Sequence, residues 1–207
     1  MKLNKSVALL ALSLLLLSGC GNTDTQSAAN STTPTNINSS VTTSTAVNPV
    51  KIYTFPGVLT NDQIQNKQVR ITTAKGDIVF ELYNETAPMA VSNFVYLTNE
   101  GYYDGLIFHR RDEGFVIQGG DPLGTGRGGP GYRFNDELSD DYTYERGIVA
   151  MANAGSNTNG SQFFIMLADT PLPKKYTIFG RVTEGLEVVD QIKIGDEMVK
   201  VTVEDKK

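Results

Sequence analysis

His109 and Arg110 stand side by side in FHRR, residues 108–111, and His109 is the only histidine in 207 residues. The chain also has a single cysteine, Cys20, and no tryptophan. The common zinc sites are excluded by that inventory, because they take three or four nitrogen or sulfur ligands. A serine, histidine and acid triad would pair His109 with Ser161, but no GxSxG elbow is present and GSQFF, 160–164, reads as the start of a strand. GTGRGG, 124–129, matches the GxGxxG dinucleotide fingerprint in letters only. That motif works by opening a helix whose N-terminus faces a pyrophosphate, and here Pro130-Gly131 follows at once with no helical periodicity after it. A turning surface loop is the better account of these glycines.

The elements that must position His109 and Arg110 can be read from the pattern around them. VRITTAKGDIVFELY, 69–83, alternates, with Ile78, Phe80 and Leu82 on one side and Val79, Glu81 and Tyr83 on the other; Lys75-Gly76-Asp77 supplies a turn, so the segment predicts a β-hairpin. Pro88 behind Thr86 suits a first helical turn. Ala90, Val91, Phe94, Val95 and Leu97 then form an apolar helical face, and Gly101 is placed to end it. Short apolar runs follow, LIFHR, GFVIQ, GIVAMAN, SQFFIML and YTIFGRV, separated by glycine, proline and asparagine. None is long and periodic enough for a crossover helix, which favours an antiparallel barrel or sandwich. A second helix is expected over about 187–192, and VKVTVED, 199–205, is expected to complete the sheet. Residues 51–68 fit either an extra strand or an extension of the preceding segment.

The first fifty residues have another texture. Lys2 and Lys5 precede an apolar run from Val7 to Leu17, too short to span a bilayer, which ends in Leu17-Ser18-Gly19-Cys20. This is a secretion signal over 1–19, and its end resembles the lipobox of bacterial lipoproteins, in which the cysteine is lipidated and becomes the first mature residue. Cys20 is accordingly the expected lipidation site and membrane anchor, and the destination is extracytoplasmic. Residues 20–50 are rich in Ser, Thr and Asn with almost no large apolar side chain, so they cannot bury enough surface to offset the entropy of ordering. They are expected to form a disordered tether with a reach of roughly 30 Å. Residues 51–207 make one globular domain. The formal charge of −5 becomes −7 once Lys2 and Lys5 are removed, a sign that disfavours a nucleic-acid partner.

FHR, GFVIQGGD, GTG, MANAG, NTNGSQFFI and FGRV occur in the order and near the spacing found in the cyclophilin peptidyl-prolyl isomerases, which the chain resembles from about Val69 to the C-terminus. The resemblance implies a mainly-β fold, a closed eight-stranded antiparallel β-barrel capped by two α-helices, with a groove that binds Xaa-Pro segments. It implies no metal and no cofactor. Unfolded or proline-containing polypeptides are the implied partners, and a monomer is expected. Carried over by residue, Arg110 matches the catalytic arginine and His109 a histidine lining the groove. Phe115, Val116, Gln118, Gln162 and Phe164 match the proline pocket and its glutamines. Ala152, Asn153 and Ala154 match the edge that pairs with substrate backbone, with Gly124 and Thr125 at the rim. Leu172 and Tyr176 stand near the place where eukaryotic members carry tryptophan and histidine.

Those residue types suit the reaction the resemblance implies. An Xaa-Pro bond isomerises slowly because amide resonance must be lost, a barrier of about 18–20 kcal/mol, and no covalent bond is made. Neither nucleophile nor metal is required. In the twisted state the proline nitrogen becomes a hydrogen-bond acceptor, and a guanidinium aimed there binds that state better than the planar one. His109 is expected to shape the groove rather than to move protons. The chain departs from the family at Arg111-Asp112-Glu113, where many members have apolar residues and proline, and at Val116, where a methionine is usual. Two other readings stay open on the residues alone. One is a proline-segment binding module or chaperone without turnover; the other is a surface ion pair of Arg110 with Asp112 or Glu113.

Overall fold

The computed structural model describes residues 51–206. The signal segment 1–19, the lipidation site Cys20 and the tether 20–50 lie outside the described residues. In chain order the elements are α1 (Asn61–Ile64), β1 (Lys67–Thr73), β2 (Gly76–Leu82), α2 (Pro88–Asn99), β3 (Arg110–Asp112), β4 (Val116–Gly119), β5 (Ile148–Met151), β6 (Phe163–Met166), β7 (Ile178–Glu184), α3 (Leu186–Gln191) and β8 (Lys200–Asp205).

β1 and β2 form the expected hairpin, but the turn is one residue earlier: Thr73 faces Gly76 across it, and Ala74-Lys75 make the corner. Thr73 accounts for the shift, since its hydroxyl donates to the Gly76 carbonyl at 2.8 Å and accepts from the Lys75 N–H at 3.0 Å. Ile78, Phe80 and Leu82 enter the main core as their alternation requires. All pairings are antiparallel, and the strands line up in the order β3-β4-β6-β5-β7-β2-β1-β8.

The expected closed barrel is not what forms. The edge strands β3 and β8 do not pair with each other, so the ladder is open. Across the opening run two irregular segments joined by one isolated bridge, Ile107 to Glu197, and by bonds such as Gly105 N–H to Met198 O and Phe108 N–H to Asp196 O, both 2.8 Å. Those segments cannot extend into a ladder, because their backbone is spent on turns: Leu106 N–H bonds Tyr103 O and Asp196 N–H bonds Lys193 O.

Helices α2 and α3 occupy the expected places, α3 one residue earlier at each end, and the four-residue α1 is additional. Phe94 of α2 lies at the centre of the core. It stacks on Tyr103 with 4.5 Å between centroids and meets Phe80 and Phe163 edge-on. Gly101, at φ +70°, turns the chain out of the helix as expected. Residues 51–60 are neither strand nor tether. Tyr53, Phe55 and Leu59 pack on the core, Phe55 stacks on Phe134 at 5.2 Å, and the Leu59 N–H donates to Ser92 Oγ.

Pro88 opens α2 as expected, the N-cap position is Ala87, and Thr86 Oγ1 is buried without a partner. Glu137, far along the chain, instead places its carboxylate on the N–H groups of Met89 and Ala90, each at 2.9 Å. Burial pushes this carboxyl up, and the two helix N–H groups work in the opposite direction. The contact ties the loop before β5 to α2. Glu137→Ala leaves both helix N–H groups unpaired and is expected to cost about 1–2 kcal/mol, read as a lower urea midpoint at unchanged slope.

Candidate active site

The sheet register assembles the site. In β3 and β4 Arg110 faces Gln118; in β4 and β6 Gln118 faces Phe164; in β6 and β5 Phe164 faces Ala150. Cross-strand partners point to one face, so these four side chains form a row across four strands. The residues two along extend it. Val116, Ile148, Ala150, Phe164 and Met166 make a second apolar cluster with Tyr144, separate from the main core, and Phe115, Ala152, Leu172, Tyr176 and Ile178 pack on it half-buried. Neighbours in sequence, Ile117, Val149, Phe163 and Ile165, point to the other face and into the core. Phe163 and Phe164 thus part company by strand alternation alone.

Arg110 sits over this cluster. Its guanidinium carbon is 5.8 Å from the Phe115 ring centroid. Nη1 donates to Gln118 Oε1 at 3.1 Å, and Nη2 pairs with Asp112 Oδ2 at 3.1 Å. The side chain is 47 % exposed, so the fork is held from two sides while still meeting solvent. The ion pair with Asp112 is real, but it coexists with the Gln118 and Phe115 contacts rather than turning the arginine away from them. Arg111 and Glu113 pair with each other, and Arg111 Nη1 also reaches the Ile192 carbonyl at 2.8 Å. The charged departure is therefore internally neutralised, residue against residue.

Beside the apolar cluster opens a cleft of about 830 Å³. Gln118 and Gln162 stand at the boundary, where Gln118 Nε2 donates to Gln162 Oε1 at 2.9 Å and Gln162 Nε2 to the Gly128 carbonyl at 2.9 Å. Ala152, Asn153 and Ala154 form part of the cleft wall. Asn153 is oriented by donating Nδ2 to the Lys175 carbonyl at 2.8 Å and, at 3.4 Å, to Asp136, which also holds the fully buried Asn159. Phe164 and Tyr176 meet edge-on at 5.5 Å, so Tyr176 completes the apolar side.

Three of the sequence-read residues stand apart. Gly124 and Thr125 do not line the cleft; Gly124 backs onto Ile107, and the loop reaches the wall only from Gly126 onward. His109 lies beside Gly126, with neither ring nitrogen hydrogen-bonded. Burial first, with Arg110 adding to it, pushes its ring down, while Asp121 and nearby Gln162 act the other way; the ring is neutral at pH 7.

Sequence reading missed Asp121, which organises the glycine loop. Its carboxylate accepts N–H bonds from Leu123 at 2.8 Å, Thr125 at 2.9 Å, Gly126 at 2.5 Å and Arg127 at 3.0 Å. The donors that a phosphate would need are thus already committed to an internal anion, which disposes of the fingerprint reading of GTGRGG. Gly128 is required by contact: a Cβ there would lie 1.9 Å from Asp121 Oδ1. An Asp immediately ahead of a glycine-rich turn was the available signal.

Burial alone would raise the Asp121 carboxyl, but the backbone donors outweigh it and hold it below the ordinary 3.8. A depressed folded value means stability that is present above the unfolded value and lost as pH falls through the folded one. Asp121→Asn is expected to cost about 1–3 kcal/mol at pH 7, with the gap to wild type narrowing below about pH 4 in urea titrations.

With this geometry in place, comparison with known proteins is direct. The family model "Cyclophilin type peptidyl-prolyl cis-trans isomerase/CLD" matches residues 68–206. A peptidyl-prolyl cis-trans isomerase of Schizosaccharomyces pombe is 58 % identical over 125 residues, 58 % of this chain and 81 % of the relative. Peptidyl-prolyl cis-trans isomerase B of Bacillus subtilis is 53 % identical over 129 residues, 61 % of this chain and 90 % of the relative. The crystal structure of a cyclophilin-type isomerase of Cryptosporidium parvum in the presence of the dipeptide Ala-Pro superposes with a TM-score of 0.62 at 40 % identity, covering 66 % of this chain and 98 % of that one. A match over most of the described residues, joined to the row of Arg110, Gln118 and Phe164, means that the chain belongs to the cyclophilin-type peptidyl-prolyl cis-trans isomerases.

Proposed function

We propose that the domain catalyses rotation about Xaa-Pro bonds in exported or unfolded polypeptides, with Arg110 as the catalytic residue and the Phe115, Val116, Phe164, Leu172 and Tyr176 cluster as the seat of the proline ring. The observation that carries this is the position of the Arg110 guanidinium, fixed by Gln118 at the edge of an apolar surface. A guanidinium has five N–H donors, and those not used on Gln118 and Asp112 are left for substrate.

The energetics set what each part must supply. Raising an isomerisation of about 10⁻² per second to about 10³ per second takes roughly 7 kcal/mol of preferential binding to the twisted amide. One charged donor contributes about 3–4 kcal/mol by analogy with oxyanion donors. The remainder falls to the apolar seat and to Gln118 and Asn153, which hold the flanking backbone so that one side alone rotates. His109, whose ring burial pushes toward the neutral form, stands beside Gly126 and is given no proton to move. No proton transfer is needed for amide rotation.

Binding without turnover is the alternative reading, and the Asp112 ion pair is what favours it, since it draws on the charge the mechanism requires. Exchange NMR on an Ala-Pro peptide separates the two. Wild type is expected to accelerate exchange, and Arg110→Ala to lose about 10²–10³-fold in kcat/KM. Binding of the peptide with no acceleration, or full activity in Arg110→Ala, overturns the catalytic assignment.

The cellular setting is part of the same proposal. The Leu17-Ser18-Gly19-Cys20 run supports a lipid-anchored, extracytoplasmic form with residues 20–50 as tether. Labelled palmitate is expected to enter the full chain, and Cys20→Ala to abolish incorporation while the unprocessed precursor accumulates. Labelling that persists in Cys20→Ala rejects the anchor.

A further inference from the structure

Residues 51–60 precede the stretch that matches the family, 68–206, yet they are fastened to the domain at both ends. Lys51 Nζ donates to the Glu100 carbonyl at 2.7 Å and pairs with the Glu100 carboxylate at 2.9 Å; at the other end the Leu59 N–H reaches the buried Ser92. Between these fastenings alternate side chains turn the same way: Tyr53 and Phe55 pack on the core, while Ile52 is 87 % exposed. The sheet does not include this segment, and what it touches is mostly aromatic.

Two routes lead from those rings to one place. Tyr53 meets Tyr102 edge-on with 5.0 Å between centroids. Ser161 Oγ donates to the Gly120 carbonyl at 2.7 Å, so the Tyr102 hydroxyl, 2.9 Å from the same Oγ, is the donor to it. Phe55 stacks on Phe134 and tilts against Tyr132 at 5.7 Å. Tyr132 donates its hydroxyl to Asn93 Oδ1 at 2.6 Å, Asn93 Nδ2 donates to the Gly160 carbonyl at 2.8 Å, and the Phe134 N–H donates to the Asn159 carbonyl at 3.0 Å. Both routes thus end on Asn159-Gly160-Ser161, and the next residue is Gln162. Gln162 Oε1 accepts from Gln118 Nε2, and Gln118 Oε1 accepts from Arg110 Nη1. Asn93, Asn159 and Ser161 are buried, so water does not compete for their bonds.

We propose that residues 51–60 are a strap that positions the catalytic arginine, with Tyr53 and Phe55 as positioning residues that hold 159–161 and, through Gln162 and Gln118, set where the Arg110 guanidinium stands. The inference rests on the function proposed above. Tyr53, Phe55, Tyr102, Tyr132 and Phe134 all lie outside the helices and strands, so these rings are held by one another rather than by a ladder. The 159–161 stretch likewise has only the single bridge of Asn159 to Phe134. Removing the two strap rings frees both routes at once, and a chain of packed rings and buried hydrogen bonds carries the displacement to the fork. A shift of about 1 Å in a catalytic group costs up to about 10²-fold in rate.

The test measures kcat and KM for an Ala-Pro peptide by exchange NMR, in full-chain variants at a temperature where circular dichroism shows each to be folded. Tyr53→Ala with Phe55→Ala is expected to lower kcat about ten-fold with KM changed less than about two-fold, because a misplaced guanidinium is lost to the twisted amide and not to the planar one. The side-chain amide resonances of Gln118 and Gln162 are expected to shift in the same variant. Tyr53→Phe keeps the ring and is expected to keep wild-type kcat. Val201→Ala opens the core in β8, at the opposite end of the strand order from β3, and is expected to lower the urea midpoint with kcat and both glutamine resonances unchanged. Wild-type kcat in the folded double variant, or a loss that Val201→Ala matches, overturns the strap. If the double variant does not fold, Tyr102→Phe decides, since it removes only the hydroxyl bond to Ser161: unmoved Gln162 resonances with unchanged kcat overturn the proposal. No turnover by wild type counts against the isomerase reading instead. The strap is then judged by the Gln118 and Gln162 resonances alone, and their staying in place rejects it.

Discussion

The antiparallel register of β3, β4, β6 and β5 is the constraint on which the rest depends, because it alone brings Arg110, Gln118, Phe164 and Ala150 into one row on the face of the sheet turned away from the main core. A slip of one residue in any of these short strands would exchange the faces. Phe163 would then take the place of Phe164, and Ile117 that of Gln118. The main core resists such a slip: Ile117, Phe163, Ile165 and Val149 are fully buried in it, and their burial and the outward row are two sides of the same pleat. Stability and site geometry are thus not separable here. The apolar packing that holds the sheet together also sets where the guanidinium stands.

Loops complete the site by turning side-chain carboxylates inward. Asp121 gathers the N–H groups of the glycine loop, Asp136 holds Asn153 and Asn159, and Glu137 ties the same stretch to the start of α2. Each carboxylate replaces the regular hydrogen bonds that a strand or helix would have supplied. The glycines between Gly124 and Gly131 give the chain its tight path, and Asp121 gives it one path among many. This is why a motif that reads as a phosphate cradle by its letters is closed to phosphate in fact: its donors face an anion that the chain itself provides.

How much of this the sequence disclosed follows from the range of the interactions. The β1–β2 hairpin, α2 and α3 were legible because alternation and helical periodicity are local. Fully buried four-residue strands such as Ile148–Met151 show no alternation in burial, and only linked motifs placed them. The open edge between β3 and β8 was not legible, since it depends on turn bonds near Leu106 and Asp196 that leave no mark in periodicity. Nor was the cap on α2, which Glu137 supplies from nearly fifty positions away. Resemblance singled out Arg110, Gln118, Phe164 and Asn153, which the fold places in one row and at the cleft wall. Gly124 and Thr125 precede the cleft wall, which begins at Gly126, on the turn that Asp121 holds.

The charged stretch after Arg110 shows how a local departure can be absorbed without moving the site. Arg111 and Glu113 satisfy each other, and Arg111 also anchors to the Ile192 carbonyl at the end of α3, so those two residues act as a brace for the β3–β4 turn. Asp112 is left to pair with Arg110. At 47 % and 54 % exposure both partners keep most of their hydration, and such a pair is worth no more than about 1 kcal/mol. That is small beside the several kcal/mol that a dry guanidinium gains on meeting a twisted amide nitrogen. On the proposed function, Asp112 would orient the fork in the open groove and yield it once a proline segment excludes water, when the amide nitrogen would become the stronger claim on the same N–H groups.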